Sequence, residues 1–469
     1  MNQPISLAGT PAASPLGYYS WAFGQMARDP AYILIIIYIF LPYFSNTVIG
    51  DPVKGQAWIG YLQGASGILV AMTIPFLGAI ADKDGRRKPW VMGSVLAIAL
   101  ATGSLWWITP ESGSFSIFFG MFLFFVIYSA FPITEAFHNA MLSSIVPANK
   151  AGLISGLGYS SGNMSGLILM LFVLFAFAMP GVQPWPFLPD QPWFGIDQAN
   201  FEHDRLVGPL CAIWMLIFTL PVLLFTPDGE PSVRSFRESA REGVQDLLLT
   251  VRQVKHYSNI ARYLLARMFY NDGMVAVLTF AGIYASGVFG WGSIDLLIFG
   301  LVSSFSAMIG AVLGGLLDDW LGSLKTLRFV TILNALALIS LVSVTSDSIW
   351  FVIPVSTEPV WDFPYFSTVS ELYYLANNQF FALVFVTNLG ASRTLMARIS
   401  PPDMTSQFFA LFGLSSTVTV FVGPLLVATV TSITDSARMG IASLALLIIA
   451  GSMMLLTVKD ERSQRALIA

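Results

Sequence analysis

Twelve apolar stretches of membrane-spanning length, parted by polar turns and by longer segments at 180–205, 227–257 and 347–372, constrain this chain more than any other feature. A spanning helix needs about 20 apolar residues. The first six candidates fall at 31–49, 57–81, 89–109, 115–143, 151–179 and 206–226. The other six fall at 259–289, 293–317, 325–346, 373–399, 404–432 and 437–458. The sharpest boundary is the run Gly78-Ala-Ile-Ala-Asp82-Lys-Asp-Gly85-Arg86-Arg87-Lys88. It closes the apolar stretch Trp58 to Ala81, and the stretch Trp90 to Ile108 begins just after it. So dense a charged turn is costly unless it lies in water at the bilayer surface. Of the 469 residues, 55% are hydrophobic and 11% charged, where a soluble domain has about 25% charged. Lipid must therefore be part of this chain's solvent.

Charge placement sets the orientation. With both termini in the cytoplasm, all of the 23 Lys and Arg except Lys54, Arg205 and Arg438 fall on the inner side or on helix ends facing it, as the positive-inside rule requires. The net charge of −4 says nothing by itself. Residues 1–30 read as a cytoplasmic N-terminal segment, 31–226 as one six-helix bundle, 258–458 as a second, and 459–469 as a cytoplasmic tail. The polar linker 227–257 carries an expected amphipathic helix, Val233 to Val254. Met1 to Pro15 lacks the basic and apolar regions of a cleaved signal peptide, which leaves targeting to the first spanning helix. The lone Cys211 excludes an internal disulfide, and with three scattered histidines it argues against a metal site. Neither a cofactor nor a nucleic-acid partner is implied, and a monomer is expected.

Ionisable groups at membrane depth are expensive and functional by default. Two stand out, Glu135 and Asp272. Glu135, His138 and Asn139 share one face of the fourth helix at i, i+3 and i+4. A carboxylate beside an imidazole there would exchange a proton, or a neutral Glu135 would steady the kink expected at Pro132. Tyr270-Asn271-Asp272 lies mid-way along the seventh helix, where Asp272 would take an amine, a proton or a cation, or pair with Arg267. In the tenth helix Arg398 reads as a surface anchor, while Arg393 lies deeper and meets an anion or a carboxylate. Gly158, Gly162 and Gly166 recur every four residues, a stripe for close helix packing. Gly158-Tyr-Ser160-Ser-Gly162 matches a hydrolase elbow only in letters, since no strand precedes it. Asn163 beside the stripe is a candidate cleft residue. An enzyme is not expected.

The pattern Gly78-x-x-x-Asp82-x-x-Gly85-Arg86-Arg87 resembles the loop between helices 2 and 3 of major facilitator superfamily transporters. A faded copy, Gly314 to Lys325 with Asp318 and Gly322, follows the eighth helix, as an internal repeat requires. The resemblance implies an all-α integral membrane protein of twelve transmembrane helices in two pseudo-symmetric six-helix bundles. In it Gly78 permits close packing, Gly85 a tight turn, and Asp82 meets the start of helix 11 near Asp403 in a clasp with Arg86 and Arg87. More narrowly, Ser20-Trp-Ala22, Phe137-His-Asn139, Phe269-Tyr270-Asn271-Asp272-Gly273, Ser392-Arg393-(x)4-Arg398 and Gly423-Pro424 are similar to the vacuole-effluxer-like family. That family usually carries Asp and Asn where this chain has Gln25 and Arg28 just before the first helix, and Tyr where it has His138.

These features predict a secondary transporter of the inner or plasma membrane. The resemblance implies export of a small amphipathic, amino-acid-like solute by alternating access, coupled to protons or another ion. A lipid, peptide or sugar-peptide cargo, or a non-transporting receptor, stays open at this point. The candidate substrate and proton residues are Gln25, Arg28, Glu135, His138, Asn139, Asn163, Tyr270, Asn271, Asp272 and Arg393.

Overall fold

The computed structural model describes residues 4–6, 9–147, 150–229, 238, 257–400 and 405–459. Among these, twelve helical spans are long and apolar enough to cross a membrane. Asp403 lies outside the described residues, as does the expected amphipathic helix Val233 to Val254 apart from Glu238.

The first span, α1, covers Pro15–Val48, and so starts well before residue 31. Gln25, Arg28 and Asp29 therefore lie inside the span. The apolar run that sets the expected start at 31 follows the polar Arg28-Asp29, and Pro30 is unfavourable inside a helix because proline lacks an N–H and clashes with the preceding turn. The chain absorbs Pro30 by changing its hydrogen-bond period. A helix over Gln25–Ala31 passes directly into a π-helical segment, Tyr32–Tyr38, the wider turn that commonly marks a functional position.

The remaining spans follow in order. They are α2 (Pro52–Asp84), α3 (Lys88–Ser104), α4 (Gly113–Ile145), α5 (Ala151–Val173, then a π turn to Ala178) and α6 (Glu202–Phe225). Next come α7 (Ser258–Phe289), α8 (Ser293–Leu321), α9 (Ser323–Val342) and α10 (Val369–Ile399). Two spans are interrupted: α11 (Thr405–Val418 and Val422–Thr434) and α12 (Ala437–Ala442 and Leu444–Leu455). A two-stranded hairpin, β1 (Ser348–Ile349) and β2 (Ile353–Pro354), sits between α9 and α10. Helix α4 runs through Pro132 as one element.

The chain divides into two units, Met1–Gly50 with Leu69–Leu247, and Asp51–Ile68 with Leu248–Ala469. The start of α2 thus groups with the second unit, a division that the sequence does not announce. Inside the first unit α3 packs on α4 and α6, and α1 on α5 and α6; inside the second, α9 packs on α10 and α12, and α7 on α12 and α11. The two sets correspond helix for helix. The faded loop copy repeats the geometry too: Gly85 has φ 86° and Gly322 has φ 85°, a left-handed conformation that glycine adopts without strain. Outer helix faces expose Leu100, Phe118, Phe305, Val312 and Leu446, surfaces suited to lipid and not to water.

The loop after α2 is tied down by a residue that no local pattern reveals. The Asp228 carboxylate, just past α6, accepts the backbone N–H groups of Arg87 (2.8 Å) and Lys88 (3.1 Å) at the start of α3. It fills the role of a helix cap from a distance. Arg87 Nη1 donates to Ala140 O (2.6 Å) and Lys88 Nζ to Leu223 O (2.8 Å). These basic side chains close the carbonyl ends of α4 and α6 as well as marking a membrane side. Asp228→Ala should cost about 1 kcal/mol, as for other caps, read as a lowered melting midpoint in detergent. An unchanged midpoint would remove Asp228 from that role.

Candidate functional site

Within the first unit, the polar residues of α1 and α4 meet at membrane depth. Arg28 is the centre. Its Nη2 donates to Gln25 Oε1 (2.7 Å) and lies 3.2 Å from Asp29 Oδ1, while Nη1 lies 3.9 Å from Glu135 Oε2. Gln25 Nε2 in turn donates to Asn139 Oδ1 (3.5 Å). The Arg28 side chain is 12% exposed and Asp29 16%, but Glu135 is 50% exposed. One cation is thus held by a partly buried carboxylate and faced by an open one. A small recess beside it is lined by Gln25, Arg28, Thr134 and His138, with Val91, Val95 and Met215 as its apolar wall.

Sequence and packing explain why Asp29 fits there. Gly162 of α5 lies against it, and a Cβ at that position would run into the Asp29 carboxylate. Gly158 and Gly166 meet Ala22, Gln25 and Ile33 of α1. The four-residue glycine stripe is therefore a seam on α1. Ser160, the serine of the hydrolase-elbow letters, lies inside the continuous helix α5, so those letters lack the strand-to-helix turn that a nucleophile elbow needs.

The expected Glu135–His138 pair does not form. His138 is buried and turns the other way, stacked on Trp21 with ring centroids 4.9 Å apart. Its Nε2 lies 3.0 Å from Trp21 O, and Trp21 Nε1 donates to His138 O (2.7 Å). This reciprocal clamp joins α1 to α4 and leaves Glu135 to Arg28. Asn163 is exposed on α5.

The second unit holds a separate group. On α7, Tyr270, Asn271 and Asp272 are all buried. Tyr270 Oη meets Ser392 Oγ of α10 at 2.9 Å, so it packs that seam. Arg267 does not bond Asp272; its Nη1 donates to Phe412 O (2.9 Å) and Ser415 Oγ (2.8 Å) of α11. Arg393 is exposed. Arg398 is more than a surface anchor, since its Nη2 lies 3.3 Å from Asp318 Oδ2. The clasp residues are less revealing. A Cβ on Gly78 would meet nothing within 4 Å among the described residues, and the start of helix 11 near Asp403, expected to face it, lies outside them. Arg86 is exposed. Asp82 sits in the last turn of α2.

With that geometry in place, the comparisons are informative. The profile of the family described as "Vacuole effluxer Atg22 like" matches residues 46–467. An uncharacterized MFS-type transporter, YxiO of Bacillus subtilis, is 23% identical over 95% of this chain and 95% of its own. Autophagy-related protein 22 of Cryptococcus neoformans is 27% identical over 58% of this chain and 49% of its own length. Among solved structures, the inward-open xylose transporter XylE from E. coli aligns over 94% of each chain with TM-score 0.61 and 11% identity. A POT family transporter in complex with 5-aminolevulinic acid aligns over 94% and 95% with TM-score 0.60 and 12% identity. At such identities the structures speak for the fold alone.

Proposed function

The chain belongs to the vacuole effluxer Atg22-like family of major facilitator transporters, and we propose that it carries a small amphipathic, amino-acid-like solute by alternating access. It is an integral multi-pass transporter, not an enzyme. The observation that carries the solute class is the Arg28 cluster. A guanidinium presents a planar fork that matches a carboxylate. The half-exposed Glu135 carboxylate, 3.9 Å from that guanidinium, suits an ammonium. Together they favour a zwitterion with a modest apolar side chain, which Val91, Val95 and Met215 would receive. A proton gradient is the driving force we assign, in an inner or plasma membrane with both termini cytoplasmic, as the Lys and Arg placement supports. The transporter works as a monomer in this reading.

The test begins with a thermal-shift screen of zwitterionic, anionic and neutral metabolites on purified protein, because a ligand stabilises a fold it binds by mass action. Counterflow in proteoliposomes then follows the hits. Stabilisation and counterflow with α-amino acids, lost on removing either the carboxylate or the amine, are expected. Stabilisation by neutral sugars or lipids alone would overturn the solute class.

A further inference from the structure

We propose that Asp272, set against the break in α11, is the proton-carrying site of this transporter, separate from the solute cluster around Arg28. The proposal rests on the transport reading above and assigns its coupling ion to one carboxyl group. Helix α11 stops at Val418 and resumes at Val422. At the break Val422 N donates to Thr419 O (2.8 Å), a tight turn in place of helix. Asp272 lies directly opposite. Its backbone oxygen would be 2.9 Å from a Cβ on Gly423, and the Thr419 hydroxyl, which donates to Ser415 O at 3.4 Å, lies close to its carboxyl. Gly423 permits this close approach.

The carboxyl is 5% exposed, and its Oδ2 has no hydrogen-bond partner among the described residues. A bare carboxylate oxygen at membrane depth is costly. A proton on Oδ2 removes the charge and needs no further ligands. A metal cation would need several oxygens around it and would face Arg267 on the same helix. The charged and titratable groups around the site are few. On α7 they are Arg267, Tyr263 and Tyr270, and on α10 Arg393. The sequence of α11 from Thr405 to Thr434 contains none, α12 meets Gly273 through the apolar Leu444, Leu447 and Ile448, and the start of α2, whose Gly67 meets Phe421 at the break, contributes Tyr61. Arg267 is engaged with Phe412 and Ser415 just ahead of the break. Glu135 is the weaker candidate, being half exposed and paired with Arg28.

The step is a simple exchange. The Asp272 carboxyl gives its proton to a water reaching the break, leaving a carboxylate and a hydronium, and in the opposite state the carboxylate takes a proton from a hydronium and returns water. Loss of the proton places a negative charge between Thr419 and Arg267, which biases the turn at 419–421 toward a different setting.

Two measurements on the purified full chain test this. Infrared difference spectra between pH steps, in water and in heavy water, should show a protonated-carboxyl band that vanishes in Asp272→Asn. A Thr419→Val variant, which keeps the carboxyl, should show the band with a displaced midpoint. A band that persists unchanged in Asp272→Asn, or a midpoint unmoved in Thr419→Val, overturns the proposal. In proteoliposomes, Asp272→Asn should retain solute counterflow while pH-gradient-driven accumulation falls to the level of a collapsed gradient. Accumulation equal to the parent, or driven by a sodium gradient alone, also overturns it. If no solute moves in any variant, the transport reading fails, and the spectra still decide whether Asp272 exchanges a proton.

Discussion

Arg28→Gln should reduce solute accumulation in proteoliposomes by about 10- to 100-fold, the loss expected when hydrogen bonds to a charged group worth about 1.5–3 kcal/mol disappear. Arg28→Lys should retain part of the activity, since an ammonium keeps the charge but not the planar fork. Stability has to be separated from binding. Removing the guanidinium leaves Asp29, 16% exposed, without its 3.2 Å partner, and an orphaned buried carboxylate destabilises by several kcal/mol. The double variant Arg28→Gln with Asp29→Asn restores charge balance at that pair. Its melting midpoint should recover toward that of the parent, while accumulation stays low. If the double variant accumulates solute like the parent, Arg28 serves the fold and not the cargo.

That argument depends on a residue whose place the sequence hides. The spans themselves are legible, because lipid imposes length and apolarity on every one of them. The repeat is legible through Gly85 and Gly322, whose left-handed turns need glycine. Arg28 is legible as a candidate but not as a residue inside a span, because the apolar run begins only at residue 31, while the helix over Gln25–Ala31 passes Pro30 into a π-helical segment. Helical spacing places Glu135 and His138 on one face, yet spacing cannot say that Trp21 captures His138 from another helix. Asp228 and the Asp318–Arg398 pair are invisible for the same reason, since each partner is remote in sequence. The glycine stripe of α5 is readable because its period is unbroken. A similar stripe on α8, Gly310 and Gly314, is masked by reading Gly314 as the start of the loop copy.

That second stripe supports the largest stability effect expected in the chain. Gly310→Val should lower the melting midpoint sharply, whereas Gly315→Val on the same helix should barely move it. Helices α8 and α10 touch through their backbones at this seam. A Cβ on Gly310 would run into the carbonyl of Leu383 and lie 2.7 Å from its Cα. One on Gly314 would lie 2.6 Å from Thr387 Oγ1 and 2.8 Å from Thr387 Cα. Thr387 Oγ1 also donates to Gly310 O at 2.9 Å, a bond that close approach makes possible. A side chain can rotate away from an added methyl group, but a neighbouring backbone cannot, so the helices must part. Overpacking of this kind costs about 1–3 kcal/mol where side chains can yield, and the upper end applies here. Losing the Thr387 bond adds about 0.6 kcal/mol, typical of hydrogen bonds inside membrane proteins. Gly315 is the matched control: its Cβ would meet nothing within 4 Å, and valine carries the same helix-propensity change at both sites. Melting midpoints in detergent, compared for the two variants, read the seam directly. Equal shifts would mean that propensity, and not the α8–α10 contact, sets the need for glycine at position 310.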